Sequence, residues 1–151
     1  SAPLHHILKI GIPDAILRKP IKLTPEEWEI MKTHTTIGAE LLSGSNSRFL
    51  NMAKTIALTH HEQWDGSGYP QGLKGDEIPI VGQICGISDV FDALTTRRPY
   101  KEAWSLDKTL DIINERSGAQ FNPDLVKCFE SIKDKMAEVH HKYLDPVEER
   151  E

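Results

Sequence analysis

The stretch Phe49-Leu50-Asn51-Met52-Ala53-Lys54-Thr55-Ile56-Ala57-Leu58-Thr59-His60-His61-Glu62-Gln63-Trp64-Asp65-Gly66-Ser67-Gly68-Tyr69-Pro70 changes character partway along. Its first part repeats apolar residues at three and four. That spacing predicts a helix from Phe49 to about Trp64, with Phe49, Ala53, Ile56, Ala57, His60 and Trp64 on one face. From Asp65-Gly66 the chain enters a loop that runs to Pro79 and holds Gly66, Gly68, Gly72, Gly75 and two prolines. A loop so long and so punctuated is more than a connector. His60 is carried inward by the helix, and His61 lies about 100° further round it. Two adjacent imidazoles at the end of an apolar face are the first sign of chemistry.

Working outward, helical spacing recurs nearly everywhere and no convincing strand is found, so the fold is expected to be all-α. Upstream, Thr24-Pro25-Glu26-Glu27 combines an N-cap threonine, a proline at the first helical position and a capping-box glutamate. A helix through about Leu42 should follow, with a stripe of Trp28, Met31, Thr35, Gly38, Leu41 and Leu42 and with His34 at its edge. Before it, Leu4 to Leu8 reads as the end of a helix stopped by Gly11 and Pro13. Downstream, Ile80 to Thr95 resumes helical spacing, with Cys85, Asp89 and Asp92 on adjacent turns of one side. Ser105 should cap a helix ending at Gly118. Asn122-Pro123 should open a last one carrying Leu125, Val126, Phe129, Ile132, Met136 and Val139. The charged tail Pro146 to Glu151 reads as disordered.

With 151 residues the chain suffices for one domain with its own core. A formal net charge of -5 argues against a nucleic-acid polymer as partner. A small anion remains open, because Arg97, Arg98 and Lys101 concentrate positive charge in one segment. Apolar runs are too short for a membrane segment, and Ser1 to Ile7 lacks the pattern of a secretory leader, so a cytoplasmic location is expected. Cys85 and Cys128 have neither zinc nor disulfide spacing and read as reduced, buried thiols.

The inward polar residues come from four helices: His5, His6 and Lys9; His34; His60 and His61; Asp89 and Asp92. Any one histidine alone reads as an ordinary core or surface residue. Together they read as imidazole and carboxylate ligands converging in a bundle core, a donor set suited to iron, manganese, nickel or zinc.

The string from His60 to Pro70, then Gly72-Leu73, Gly75, Ile78-Pro79 and Asp89-Val90-Phe91-Asp92-Ala93-Leu94, resembles the signature of HD-GYP domains. These are bacterial signal-transduction hydrolases of the HD superfamily, metal-dependent phosphodiesterases of cyclic di-GMP. The resemblance extends back through Ile12-Pro13-Asp14, Leu23-Thr24 and His34, and forward through Arg98-Pro99-Tyr100-Lys101 to Phe121-Asn122-Pro123. It implies an HD-superfamily helical bundle with an additional C-terminal helical portion over residues 1–133, followed by a helix end and charged tail over 134–151. It implies metal ligands at His5, His34, His60, His61 and Asp89, with His6 in the adjoining position. It implies Lys9 and Asp89 in catalysis, and Tyr69, Arg98 and Lys101 on the bases and phosphates of cyclic di-GMP. Two or more divalent transition ions, iron or manganese first and nickel or zinc next, would clamp the phosphodiester and supply the hydroxide that attacks phosphorus. The product would be pGpG, and from it GMP.

The sequence departs from that pattern at one ligand. Where the family reads His-Asp-x-Gly-Lys, this chain reads His5-His6-Ile7-Leu8-Lys9. A carboxylate offers an oxygen to each of two metals, whereas a neutral imidazole offers one nitrogen to one. The expected function is therefore an impaired phosphodiesterase. The alternatives are a degenerate module that binds cyclic di-GMP or a partner protein without turnover, and an HD phosphohydrolase of another nucleotide. Family members also carry helices before the HD pair. The chain is thus expected to be a fragment of a protein with an upstream sensory or receiver domain, or a shortened relative whose exposed apolar surface a homodimer covers.

Overall fold

Thr24 begins the part of the fold that matters most for the site. Its hydroxyl accepts from Glu27 N at 3.2 Å while its own N–H donates to Glu27 Oε2 at 2.8 Å, closing the expected capping box. The computed structural model describes residues 11–44, 46–96 and 103–144. His5, His6, Lys9, Arg97, Arg98 and Lys101 lie outside the described residues, as do the expected Leu4–Leu8 helix end and the Pro146–Glu151 tail.

The described helices are α1 (Asp14–Leu17), α2 (Pro25–Lys32), α3 (His34–Leu41), α4 (Arg48–Thr59), α5 (Ile80–Thr95), α6 (Leu106–Glu115), α7 (Pro123–Ser131) and α8 (Lys133–Leu144), with a 3-10 turn at Gly75–Glu77. Among the described residues there is no strand, only an isolated bridge between Ser117 and Phe121. The all-α expectation holds, and α5 has its expected bounds. Ser105 and Asn122 cap as expected, accepting from Lys108 N and Asp124 N. No described helix is long and apolar enough to cross a membrane.

Four expected helices are divided or shortened. The single helix expected from Thr24 to Leu42 breaks at Thr33, where Thr33, Thr35 and Thr36 each donate a hydroxyl back to a carbonyl three residues earlier. Such back-bonding competes with the helical ladder and bends it. The stripe is turned apart as a result: Trp28 is 46% and Leu41 58% exposed, while His34, expected at an edge, is buried. α4 stops at Thr59 rather than Trp64, because the N–H groups of Trp64 and Asp65 are taken by the carbonyls of Gln120 and Ala119 at 3.2 and 2.9 Å. Phe49, expected on the inward face, is 66% exposed. The helix from Asn122 divides at Ile132, beside a back-bond from Ser131 Oγ to the Cys128 carbonyl. The helix from Ser105 ends at Glu115, before Gly118, which takes φ 82°. Cys128, expected to be buried, is exposed.

The larger core gathers Ile87 of α5, Leu110 and Ile113 of α6, Phe121, and Val126 and Phe129 of α7, with Val90, Phe91 and Met136 against it. A smaller centre packs Ala39 of α3 on Ala57 of α4, flanked by Leu42 and Leu58. Two alanines at the contact let α3 and α4 approach closely as a hairpin. In a hairpin the start of the first helix lies beside the end of the second, so His34 meets His60.

α5 crosses the end of α4 at glycine distance. A Cβ on Gly82 would come within 2.7 Å of Thr59 Cβ, and one on Gly86 within 2.9 Å of the His60 carbonyl. Asp89, three residues beyond Gly86, continues that side of the helix. Gly82→Ala should cost about 1–3 kcal/mol through overpacking. It should lower the urea midpoint at constant m-value. A midpoint equal to the parent's would show that the two helices part without penalty.

Candidate metal centre

His34 is the first residue of α3 and His60 the residue that ends α4, and both rings are fixed by main-chain carbonyls. His34 Nδ1 lies 2.7 Å from the Met31 carbonyl, and His60 Nδ1 lies 2.9 Å from that of Ile56 and 3.1 Å from that of Ala57. A carbonyl only accepts, so each Nδ1 carries the proton and each Nε2 keeps its lone pair. Both Nε2 atoms are shut off from solvent. Orientation through the other ring nitrogen is how metal-binding histidines are usually held.

His61 completes the group. The ligand atoms of His34, His60 and His61 all lie within 4.8 Å of one another. The rings of His60 and His61 are 4.1 Å apart, and that of His34 is 5.5 and 5.0 Å from them. Three imidazoles, two of them presenting buried lone pairs, are a donor set that fits a divalent transition ion.

The glycine-rich loop is tied back onto this corner by Glu62. Its carboxylate, 8% exposed, accepts from Gln71 N at 2.7 Å and from Leu73 N at 3.0 Å. Tyr69 N donates to the His61 carbonyl at 3.2 Å, and the Tyr69-Pro70 peptide bond is cis. Gly68 is required by contact rather than by φ, since a Cβ there would lie 2.6 Å from the Glu62 carbonyl carbon. The Tyr69 ring consequently stacks on His61, centroids 4.8 Å apart and planes 26° from parallel. Burial pushes the Tyr69 phenol up to about 12.

Five of the expected site residues are described, and the structure brings four of them together: His34, His60, His61 and Tyr69. Asp89 is half-buried on α5 and is not one of the three clustered ligands. Cys85 Sγ lies 4.0 Å from Asp89 Oδ2, and burial, then the Asp89 charge, raises that thiol to about 11. Asp92, expected to point inward with Asp89, is exposed instead and accepts from Thr96 Oγ1 at 3.3 Å. It sits three residues beyond Asp89, about 300° further round α5, on a side of the helix that faces solvent. Sequence reasoning gave no role to Glu62 or Lys32 and read Trp28 only as part of an apolar stripe. A carboxylate between an apolar helix and a glycine-rich loop was the available signal for Glu62. Nothing local marked Trp28 and Lys32, which reach Tyr69 only because of the break at Thr33.

The family model for the HD domain matches residues 1–125. The chain belongs to the HD domain family. Among relatives of this HD domain, a cyclic di-GMP phosphodiesterase of Thermotoga maritima is 52% identical over 145 residues, covering 96% of the chain and 39% of the relative. A 3'3'-cGAMP-specific phosphodiesterase of Vibrio cholerae is 49% identical over 127 residues, covering 84% and 24%. The HD domain therefore spans well under half of these curated relatives. A crystal structure of a cyclic GMP-AMP specific phosphodiesterase of V. cholerae shares the fold at a TM-score of 0.55 and 21% identity, covering 91% of this chain and 33% of that one. With these likenesses the HD-GYP type of the domain is established.

Two measurements check this corner of the HD domain. Glu62→Ala leaves two loop N–H groups without their acceptor and should cost at least about 2 kcal/mol. Bound-metal content should stay near parental, since the histidines keep their carbonyls; loss of metal in step with loop order would show that the two are not separable. In an ultraviolet pH titration, the tyrosinate signal that Tyr69→Phe abolishes should appear only above about pH 11, because burial disfavours the anion. Appearance near the ordinary value, about 10, would mean that the ring is open to water.

Proposed function

We propose that this domain is a metal-dependent phosphodiesterase that opens cyclic di-GMP to pGpG. The observation that carries the reading is the stacking of Tyr69 on His61: an aromatic face for a base adjoins a cluster of imidazoles suited to metal. A base and a phosphate are thereby received a few ångströms apart, the spacing within one nucleotide. The names of the relatives in T. maritima and V. cholerae support a cyclic dinucleotide as substrate.

In this reading His5, His6, His34, His60, His61 and Asp89 hold two or more divalent ions, iron or manganese in first place. Such ions supply Lewis-acid charge to phosphoryl oxygens and lower the pKa of bound water toward neutrality. The chain's residues do the rest. Main-chain carbonyls orient His34 and His60 so that no ring must turn when a ligand arrives. Tyr69 positions a base, and its neutral phenol keeps negative charge away from an anionic substrate. Arg98 and Lys101 bind phosphate oxygens, and Lys9 offsets charge developing on the reacting group.

His6, standing where the family's motif carries aspartate, is the observation behind a second reading, which the names of the relatives do not favour: a module that binds the nucleotide without turnover. One experiment separates the two. The full chain is loaded with manganese or ferrous iron, its metal content measured, and cyclic di-GMP and pGpG followed by chromatography. Turnover that chelation abolishes and that His34→Ala lowers at least about 100-fold supports the enzyme. His6→Asp should raise both metal content and rate. Tight nucleotide binding with no pGpG in either protein supports the module, and no binding at all sinks both.

A further inference from the structure

Trp28 is a large aromatic residue left 46% exposed, on a helix that buries no residue at all. Exposure alone does not single it out, since Phe49 is 66% exposed; what does is its place beside Tyr69 and Lys32. α2 is nonetheless firmly placed. Its start is closed by the Thr24–Glu27 capping box, and Lys19 Nζ binds Glu27 Oε1 at 2.7 Å. A helix held by its N-terminus rather than by the core is free to present its outward residues to something else.

What it presents lies against the nucleotide-reading loop. The Trp28 and Tyr69 rings are 6.1 Å apart at 79°, two walls of an open corner. Lys32, one turn further along α2, holds its Nζ 5.9 Å from the Tyr69 centroid. Its ammonium pairs at 2.7 Å with Glu29, whose side chain is 70% exposed, so the pair is an exchangeable surface one. Tyr69 already has one face on His61, so Trp28 contributes the aromatic surface that Tyr69 cannot.

We propose that Trp28 and Lys32 form a second contact for the nucleotide, Trp28 stacking on the base remote from the metal ligands and Lys32 neutralising the phosphate beside it. This rests on the reading of the site as one for a cyclic dinucleotide. An aromatic face beside a cation is the chemistry that receives a base and its phosphate, and a two-base ligand needs two such faces. The arrangement depends on the break at Thr33. An unbroken helix would carry Trp28 into the stripe shared with Thr35 and Gly38, which are buried.

The test is equilibrium binding of cyclic di-GMP, supplied as its hydrolysis-resistant phosphorothioate analogue, by calorimetry to the metal-loaded full chain, in the parent and in Trp28→Leu, Trp28→Phe and Lys32→Gln. Leucine keeps an apolar contact with Tyr69 but has no π face; phenylalanine keeps one. Trp28→Leu should weaken binding about 5- to 100-fold, with Trp28→Phe much closer to the parent. Lys32→Gln should weaken it about two- to fivefold at low salt, and the difference should shrink as salt rises. Metal content and melting temperature should stay at parental values throughout. If the parent binds and leucine and phenylalanine behave alike, or if metal content falls with affinity, Trp28 merely props the loop and the inference is overturned while the proposed function stands. If the parent binds no cyclic di-GMP, that function and this inference fall together.

Discussion

The carboxylate of Glu62 accepts from two backbone N–H groups, nine and eleven residues further along the chain, and the arrangement of the site depends on that pair of bonds. A loop with glycines at 66, 68, 72 and 75 has high backbone entropy and little apolar surface with which to offset it. One buried anion shared by two donors supplies a charge-assisted restraint without bulk. It works only because Gly68 lets the returning loop touch the Glu62 backbone. Further restraint comes from the turn after α6, whose carbonyls at 119 and 120 take the N–H groups of Asp65 and Trp64. The larger core is thus connected to the loop by main chain through Phe121. Asn122 Nδ2 adds a bond to Gln83 Oε1, and Gln83 Nε2 one to the Ile78 carbonyl.

The histidines are placed by a different economy. His34 and His60 each turn Nδ1 to carbonyls of the preceding turn. Such partners carry no net charge, so they fix the ring without adding an anion. In the proposed reading, the positive charge of divalent ions would be balanced by carboxylates and by the substrate. That reading places weight on Asp89 and on position 6. A neutral imidazole there in place of an aspartate would bring one negative charge fewer, so the reading ties turnover to that residue rather than to the fold.

Much of this was legible from residue order. The capping box at Thr24, α5 from Ile80 to Thr95, the caps at Ser105 and Asn122 and the inward course of His60 all follow from local rules of spacing and hydrogen bonding. What failed was continuity. The helix expected to run past Thr33 was divided by hydroxyls that compete with the ladder, and the one expected to reach Trp64 was ended by acceptors more than fifty residues away. The first signal was present in the Thr33-His34-Thr35-Thr36 run but has no sharp threshold. The second is tertiary and absent from any local window. Glu62 illustrates the same limit, because its acceptor role depends on how the loop returns.

The break at Thr33 and the loop closure by Glu62 bear on the same ring. Tyr69 has His61 on one side, while Trp28 meets it edge-on from α2. α2 reaches it only because the chain turns at Thr33, and Tyr69 reaches His61 only because Glu62 holds the loop. A ligand lying on Tyr69 therefore touches elements fixed by two independent constraints, one local and one long-range. The larger core around Ile87, Ile113 and Phe129 includes neither Tyr69 nor Trp28. Trp28 and Tyr69 belong to neither core cluster, so substitutions at these two rings can change the surface they present while the bundle stays packed; Glu62 carries stability and the loop together.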